Sequence, residues 1–190
     1  MQSHTGELEY RSVTVETLPV LIETYYQVWP QKTLYHDCLE KPFHPEDVAN
    51  VSWLIYHHGD LVGIVGVYSF DPDESGYDSG RSIWMDHFAI LPNFRRQGFG
   101  RQVIHDVINY CQNLKKPKYF RLDTVYYAGR PALALYDQVM TLREDYTAED
   151  TLDKCQHYLI YSYSLDGSPI QPWNNRRLDL GDSDNDLIIK

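Results

Sequence analysis

The feature that most constrains the fold is the run from residue 82 to residue 114, which predicts a strand, a tight turn and a helix. Residues 82–90 are apolar on both faces, which is typical of a central buried strand. Pro92 ends that strand. After Gly100 apolar side chains recur at the spacing of one helical face, and Pro117 ends the helix. A glycine-containing turn therefore joins a buried strand to an amphipathic helix.

The turn carries Gly-x-Gly at Gly98 and Gly100, where the predicted helix begins. The first backbone N–H groups of a helix have no intrahelical partners, and glycine lets an anion approach with no side chain in the way. Arg95, Arg96 and Arg101 add positive charge, so a phosphate group is the natural ligand. A lone Gly-x-Gly also occurs in ordinary strand-to-helix turns, and on the glycines alone that simpler interpretation stays open.

These glycines belong to a longer string, Ala89-Ile90-x-Pro92-x-Phe94-Arg95-x-x-Gly98-x-Gly100. The string resembles motif A of the GNAT superfamily of N-acyltransferases, whose core is Arg/Gln-x-x-Gly-x-Gly/Ala. The resemblance implies that the turn holds the pyrophosphate of acetyl-CoA through backbone amides and that the preceding strand contacts the pantetheine arm. Arg96 departs from the family, which often has glycine there. The implied coenzyme-binding residues are Phe88, Ala89, Ile90, Arg95, Arg96, Gln97, Gly98, Phe99, Gly100 and Arg101.

A second stretch resembles another GNAT signature, Val-x-x-x-Asn-x-x-Ala-x-x-Leu-Tyr-x-x-x-Gly-Phe. The matching residues are Val125, Ala132, Leu135 and Tyr136. Gly129 replaces the usual asparagine, which weakens one expected coenzyme contact, and Met140-Thr141 replaces Gly-Phe. These departures keep a second interpretation open, in which a coenzyme-binding or regulatory domain has lost the chemistry.

The strand count and the two signatures predict an α/β (α+β) protein with a GNAT-like fold. We expect a mixed, mainly antiparallel sheet of six to seven strands with helices on both faces. Residues 1–165 would form the acyltransferase domain, and residues 166–190 an extended or partly disordered tail. The predicted strands are 8–15, 51–56, 61–69, 82–90, 119–125, 142–146 and 157–165, and the predicted helices are 17–28, 33–41, 100–116 and 131–140.

Composition narrows the classes of partner. The formal net charge of −10 argues against a nucleic-acid partner, since phosphate backbones are bound by Lys and Arg, and it favours a cationic or neutral substrate. The cysteines are scattered, and no His-Glu-x-x-His spacing occurs, so we expect reduced thiols and no metal. The longest apolar run, Leu61–Tyr68, is too short to span a bilayer, which predicts a cytoplasmic protein without a membrane partner. A homodimer stays open.

Acyl transfer from a thioester to an amine needs a base for the amine and a donor for the departing sulfur. Asp86 is the only carboxylate in the central strand, and burial there would raise its pKa and make it a better base near neutral pH. His87 is the second candidate, although strand alternation turns it to the other face unless a bulge intervenes. Tyr136 resembles the family tyrosine that protonates the thiolate.

Simpler structural interpretations compete with both catalytic assignments. Asp86 could be a buried carboxylate paired with a hydroxyl group, and Tyr136 an amphipathic core tyrosine. The sequence thus predicts an acetyl-CoA-dependent N-acetyltransferase with Asp86 and Tyr136 as catalytic residues. Its acceptor would be a small-molecule or peptide amine that attacks directly in a ternary complex, and no motif identifies that amine.

Overall fold

Within the part of the chain that the structure describes, seven strands form one mixed sheet in the order β1-β2-β3-β4-β5-β7-β6. The computed structural model describes residues 7–30, 51–69, 81–115, 117–126, 131–147 and 157–173. The elements of these segments are β1 (Glu9–Ser12), α1 (Leu18–Val28), β2 (Val51–His57), β3 (Asp60–Tyr68), β4 (Ser82–Ile90), α2 (Phe99–Gln112), β5 (Tyr119–Val125), α3 (Pro131–Val139), β6 (Leu142–Tyr146) and β7 (Tyr158–Ser164). The predicted helix at 33–41 lies outside the described residues.

The pairing of these strands is mainly antiparallel. β4 and β5 are parallel neighbours, because the chain crosses over through α2 before it returns to the sheet. Antiparallel pairs are β1 with β2, β2 with β3, β5 with β7, and β6 with β7. A turn with positive φ at His58 (52°) and Gly59 (89°) closes the β2–β3 hairpin. The predicted GNAT-like mixed sheet is confirmed.

Contacts divide the chain into two compact units. The first comprises Met1–Ser69 with Met85–Val107, and the second comprises Phe70–Trp84 with Ile108–Lys190. In the first unit α1 packs on a core formed by Val13, Leu21, Leu54, Ile64 and Ala89. The apolar face of α2 that the sequence predicts is buried, including Val103, Ile104 and Val107.

The second unit is organised around a buried arginine on β5. Arg121 donates from Nε to Ser82 Oγ (2.8 Å), from Nη1 to Ser162 Oγ (2.6 Å) and from Nη2 to the carbonyl oxygen of Gln171 (2.7 Å). A guanidinium buried in a core is tolerated because such hydrogen bonds replace its hydration. The indole of Trp173 packs edge-on against Trp84, with ring centroids 4.9 Å apart.

The segment after β7 is therefore part of this unit as far as Trp173. Trp173 is buried, and its backbone N–H donates to Glu144 Oε2 at 2.9 Å. The beginning of the predicted tail is thus held by the second unit, while residues 174–190 lie outside the described residues. None of the described helices has the length and apolar character needed to cross a bilayer.

Candidate active site

The end of β4 and the turn after it are held together by side chains. Arg95 Nε donates to the carbonyl oxygen of Ile90 at 2.9 Å, and Gln97 Nε2 donates to the carbonyl oxygen of Asn93 at 3.0 Å. Gly98 has φ +94°, a conformation that glycine adopts without strain. Arg96 has φ +65°, also in the left-handed region. That backbone requirement explains why the family often has glycine at the position of Arg96.

Helix α2 begins at Phe99, directly after this turn. The amides of Arg101 and Gln102 donate to the carbonyl oxygen of Gly98 (3.1 and 3.2 Å), so the amides of Phe99 and Gly100 precede the first intrahelical hydrogen bonds. The Phe99 ring is buried and packs against His57 with ring centroids 4.9 Å apart, which fixes where the helix starts. The turn therefore presents backbone donors at the positive end of a helix dipole.

Positive side chains surround this helix start. Arg95 and Arg96 lie in the turn, Arg101 lies in the first turn of α2, and all three are exposed. Backbone amides, a helix N-terminus and guanidinium groups together form a site suited to a phosphate or pyrophosphate. The residues present thus fit the pyrophosphate of coenzyme A.

The strand residues predicted to contact coenzyme lie just before the turn. Leu91 N donates to the carbonyl oxygen of Val62 at 2.9 Å, and a Cβ added at Gly63 would lie 2.3 Å from the carbonyl oxygen of Ala89. The backbone groups of Ala89 and Leu91 therefore point toward β3. By strand alternation, those of Phe88 and Ile90 point toward the opposite edge of β4. This edge is where a pantetheine arm could form hydrogen bonds.

Asp86 and His87 are brought together by an irregularity in β4. The backbone N–H of His87 donates to Asp86 Oδ1 at 2.7 Å, and His87 Nδ1 lies 3.0 Å from Asp86 Oδ2. His87 has φ +32°, which breaks the strand alternation, so its side chain does not simply face away from that of Asp86. The side chain of Asp86 is 37% exposed, whereas that of His87 is 4% exposed. Asp86 is therefore not the buried carboxylate that the sequence predicts.

Sequence reasoning missed two residues that contact His87. Ser52 Oγ, on β2, lies 3.0 Å from His87 Nε2. Gly66 pairs with Ser52 across the β2–β3 ladder, and a Cβ there would lie 2.5 Å from His87 Cε1. The absence of a side chain at Gly66 thus makes room for the imidazole. A glycine inside a predicted strand is a recognised signal of such close approach.

Tyr136 lies in the second unit, on α3, and is buried. Its ring centroid is 5.5 Å from that of Tyr161, whose hydroxyl donates to Asp137 Oδ1 at 2.8 Å. Burial and this carboxylate raise the pKa of the Tyr161 phenol. Gly129, at the asparagine position of the second signature, lies outside the described residues. Among the residues that are described, no three His, Cys, Asp or Glu side chains form a group that could hold a metal ion.

The family of the chain is shown by a match over most of its sequence. The model of the acetyltransferase (GNAT) family matches residues 15–140, more than half of the 190 residues. The chain belongs to the GNAT acetyltransferase family. The matched range includes the glycine turn and the whole of α3. No curated protein matches the chain by sequence.

Solved structures show the same fold at low sequence identity. A chimaera of the spermidine N-acetyltransferase SpeG from Vibrio cholerae and hSSAT is 18% identical, with a TM-score of 0.63 over 84% of this chain and 96% of that chain. The loading GNATL domain of CurA from Lyngbya majuscula is 12% identical, with a TM-score of 0.65 over 86% and 100%. Arabidopsis thaliana NAA60 in complex with acetyl-CoA is 17% identical, with a TM-score of 0.61 over 83% and 99%.

Proposed function

We propose that this GNAT acetyltransferase uses acetyl-CoA to acetylate a primary amine by direct attack in a ternary complex. The observation that carries the proposal is the glycine turn at the start of α2 in a chain that belongs to this family. The amides of Phe99 and Gly100, with the arginines around them, would hold the pyrophosphate. The outward backbone groups of Phe88 and the outward N–H of Ile90 would hold the pantetheine arm, since the Ile90 carbonyl oxygen already accepts from Arg95 Nε. Acetyl-CoA supplies the acetyl group as an activated thioester.

Asp86 would act as the base of this reaction. An amine reaches the enzyme mostly as an ammonium ion, and the partly exposed carboxylate of Asp86 would accept its proton. The freed nitrogen lone pair then forms the C–N bond to the acetyl carbon as the C–S bond breaks, and the nitrogen loses a second proton, which restores the Tyr136 hydroxyl after that hydroxyl has protonated the sulfur. Tyr136 would donate its hydroxyl proton to the departing sulfur, which leaves as a thiol. Support for this role of Tyr136 is its match to the family signature.

The acceptor would be a cationic amine. The formal net charge of −10 raises the local concentration of cationic substrates around the protein and disfavours anionic ones. One of the solved structures with this fold is a spermidine N-acetyltransferase chimaera. Polyamines are accordingly the first acceptors to test, followed by aminoglycosides, simple primary amines and peptides with free N-termini.

Thiol release from acetyl-CoA by the purified protein, measured with each amine, tests the proposed activity. Asp86→Asn should lower turnover at neutral pH and leave coenzyme affinity intact. A protein that binds coenzyme A but releases no thiol with any acceptor would instead support the second function, a non-catalytic coenzyme-binding domain. The departures from the second signature at Gly129 and Met140-Thr141 favour that alternative.

Calorimetry with coenzyme A tests the phosphate site. Gly98→Asp and Gly100→Asp should each abolish measurable binding, because the new side chain fills the approach and its charge repels the pyrophosphate. Gly167→Asp is the matched control, since Gly167 also has a positive φ (+77°) and open space around it, and it belongs to the second unit rather than to this turn. Unchanged affinity in both turn variants would mean that the phosphates bind elsewhere.

A further inference from the structure

Three polar side chains of the first unit form a continuous array of close polar contacts. Ser52 Oγ lies 3.0 Å from His87 Nε2, and His87 Nδ1 lies 3.0 Å from Asp86 Oδ2. The backbone N–H of His87 completes the array by donating to Asp86 Oδ1 at 2.7 Å. Both oxygens of the carboxylate are thus held by one residue.

The array runs from the core to the surface. Ser52 is 3% exposed and the His87 side chain 4%, whereas the Asp86 side chain is 37% exposed. The order serine, histidine, aspartate is that of serine hydrolases, where the serine attacks the substrate. Here the serine is at the buried end, so no substrate reaches its hydroxyl. The aspartate is the end that a substrate can reach.

Hydrogen-bond chemistry assigns the protons of the array. An ionised Asp86 carries only lone pairs, and a lone pair on His87 Nδ1 would repel Oδ2 at 3.0 Å, so Nδ1 carries a proton. In a neutral imidazole Nε2 is then the acceptor, and the Ser52 hydroxyl donates to it. The Asp86 side chain is 37% exposed, so an amine can approach its carboxylate.

We propose that His87 is a positioning residue, fixed in its Nδ1–H tautomer by Ser52, and that it holds the Asp86 carboxylate in the orientation that accepts the proton of the amine. This inference rests on the proposed function, in which Asp86 is the base. The left-handed φ of His87 supports it, because a strained conformation at a non-glycine residue persists only where the surroundings enforce it. The contacts of the imidazole with Ser52 on one side and with Asp86 on the other hold His87 in this conformation.

The tautomer is tested by NMR without any assay of activity. Long-range ¹H–¹⁵N correlations of the neutral His87 ring, recorded at alkaline pH, should show a proton on Nδ1 and none on Nε2. Ser52→Ala should let the second tautomer appear, since Nε2 loses its donor. A wild-type ring with its proton on Nε2 would overturn the inference, because Nδ1 could then not donate to Asp86.

Two substitutions of His87 separate positioning from packing. Asparagine places an amide N–H near the position of Nδ1 and tolerates the left-handed region, whereas glutamine extends toward Ser52 and loses the contact with Asp86. His87→Gln should lower kcat about 10- to 100-fold and leave the KM for acetyl-CoA unchanged, as expected when the partner of a catalytic group is lost. His87→Asn should recover most of that loss.

Matched serine variants complete the kinetic test. Ser52→Ala should lower kcat several-fold, whereas Ser82→Ala should not, although Ser82 is also 3% exposed and also bonds a basic side chain. Thermal denaturation checks that each variant is folded. The inference is wrong if His87→Gln keeps the wild-type kcat, or if His87→Asn loses as much as His87→Gln. The proposed function fails separately, if the wild-type protein acetylates no amine, and the NMR measurement then still decides whether the array exists.

Discussion

Replacing Gly66 by alanine should displace His87 without removing any polar group of the array. A Cβ at Gly66 would lie 2.5 Å from Cε1 and 2.6 Å from Nε2 of His87, and 3.1 Å from Ser52 Oγ. Ordinary contacts between carbon atoms are about 3.5–4.0 Å, so the ring must move by about 1 Å. The hydrogen bond between His87 and Ser52, now 3.0 Å, would then exceed hydrogen-bonding distance.

Stability and turnover should respond differently to this change. Overpacking of a filled core costs about 1–3 kcal/mol, and the lower backbone entropy of unfolded alanine offsets about 0.4–1 kcal/mol of it. A net loss of about 1–2 kcal/mol leaves a protein of ordinary stability folded. A misplacement of about 1 Å in the group that orients a base can cost on the order of 10²-fold in rate. We therefore expect kcat of Gly66→Ala to fall about 10²-fold while the KM for acetyl-CoA stays near the wild-type value.

Urea denaturation and steady-state kinetics measure the two effects on the same preparation. Ile55→Val, on the neighbouring strand β2, is the control, because Ile55 is fully buried and its truncation should cost about 0.5–1.5 kcal/mol without touching the array. It should keep the wild-type kcat. If Gly66→Ala is destabilised as expected and also keeps the wild-type kcat, the position of His87 does not matter to catalysis, and the reasoning above is refuted.

Three other substitutions or treatments have definite expected outcomes. Tyr136→Phe should fold normally, since the ring still fills its buried position. Its kcat should fall on the order of 10²-fold if the hydroxyl is the general acid. Full activity in the thiol-release assay would show that the Tyr136 hydroxyl has no role in the mechanism. Trp173→Ala should lower the free energy of unfolding, measured by urea denaturation, by about 3–5 kcal/mol, because the buried indole packs on Trp84. A loss below about 1 kcal/mol would show that the segment containing Trp173 is not part of the core. Burial raises the pKa of the Cys111 thiol to about 12, so iodoacetamide near pH 8 should alkylate it in urea but not in the folded protein; peptide mapping that finds equal labelling would contradict this.

Much of the fold could be predicted because its signals are local. The alternation of residues 157–165 predicts β7, and the His58-Gly59 turn between two β-rich runs predicts the β2–β3 hairpin. The turn from Arg95 to Arg101 is a contiguous string, so its resemblance to motif A could be recognised without knowledge of any distant contact. Arg96 shows what a sequence motif cannot predict. The family often has glycine at this position, and only the structure gives the φ of +65° that explains that preference.

The surroundings of Asp86 could not be predicted in the same way. Alternation along a strand places neighbouring side chains on opposite faces. The sequence of β4 does not predict the φ of +32° at His87, which interrupts this alternation. Ser52 is 35 residues from His87, and only the position of β2 and β3 beside β4 brings its hydroxyl to the imidazole. The exposure of Asp86, which the sequence predicts as buried, depends on the same packing.

The sequence by itself thus determined the order of the elements, the family and the position of the glycine turn, because periodicity, turn residues and a contiguous motif carry that information in neighbouring positions. Tertiary structure alone decided which distant polar groups meet. Arg121 bonds Ser82, Ser162 and Gln171, which lie 39, 41 and 50 residues away, and each of these contacts depends on how the chain returns to the sheet. The physical reason is that a buried polar group must find its partner among whatever side chains the folded chain places beside it, and strand register rather than local propensity makes that choice.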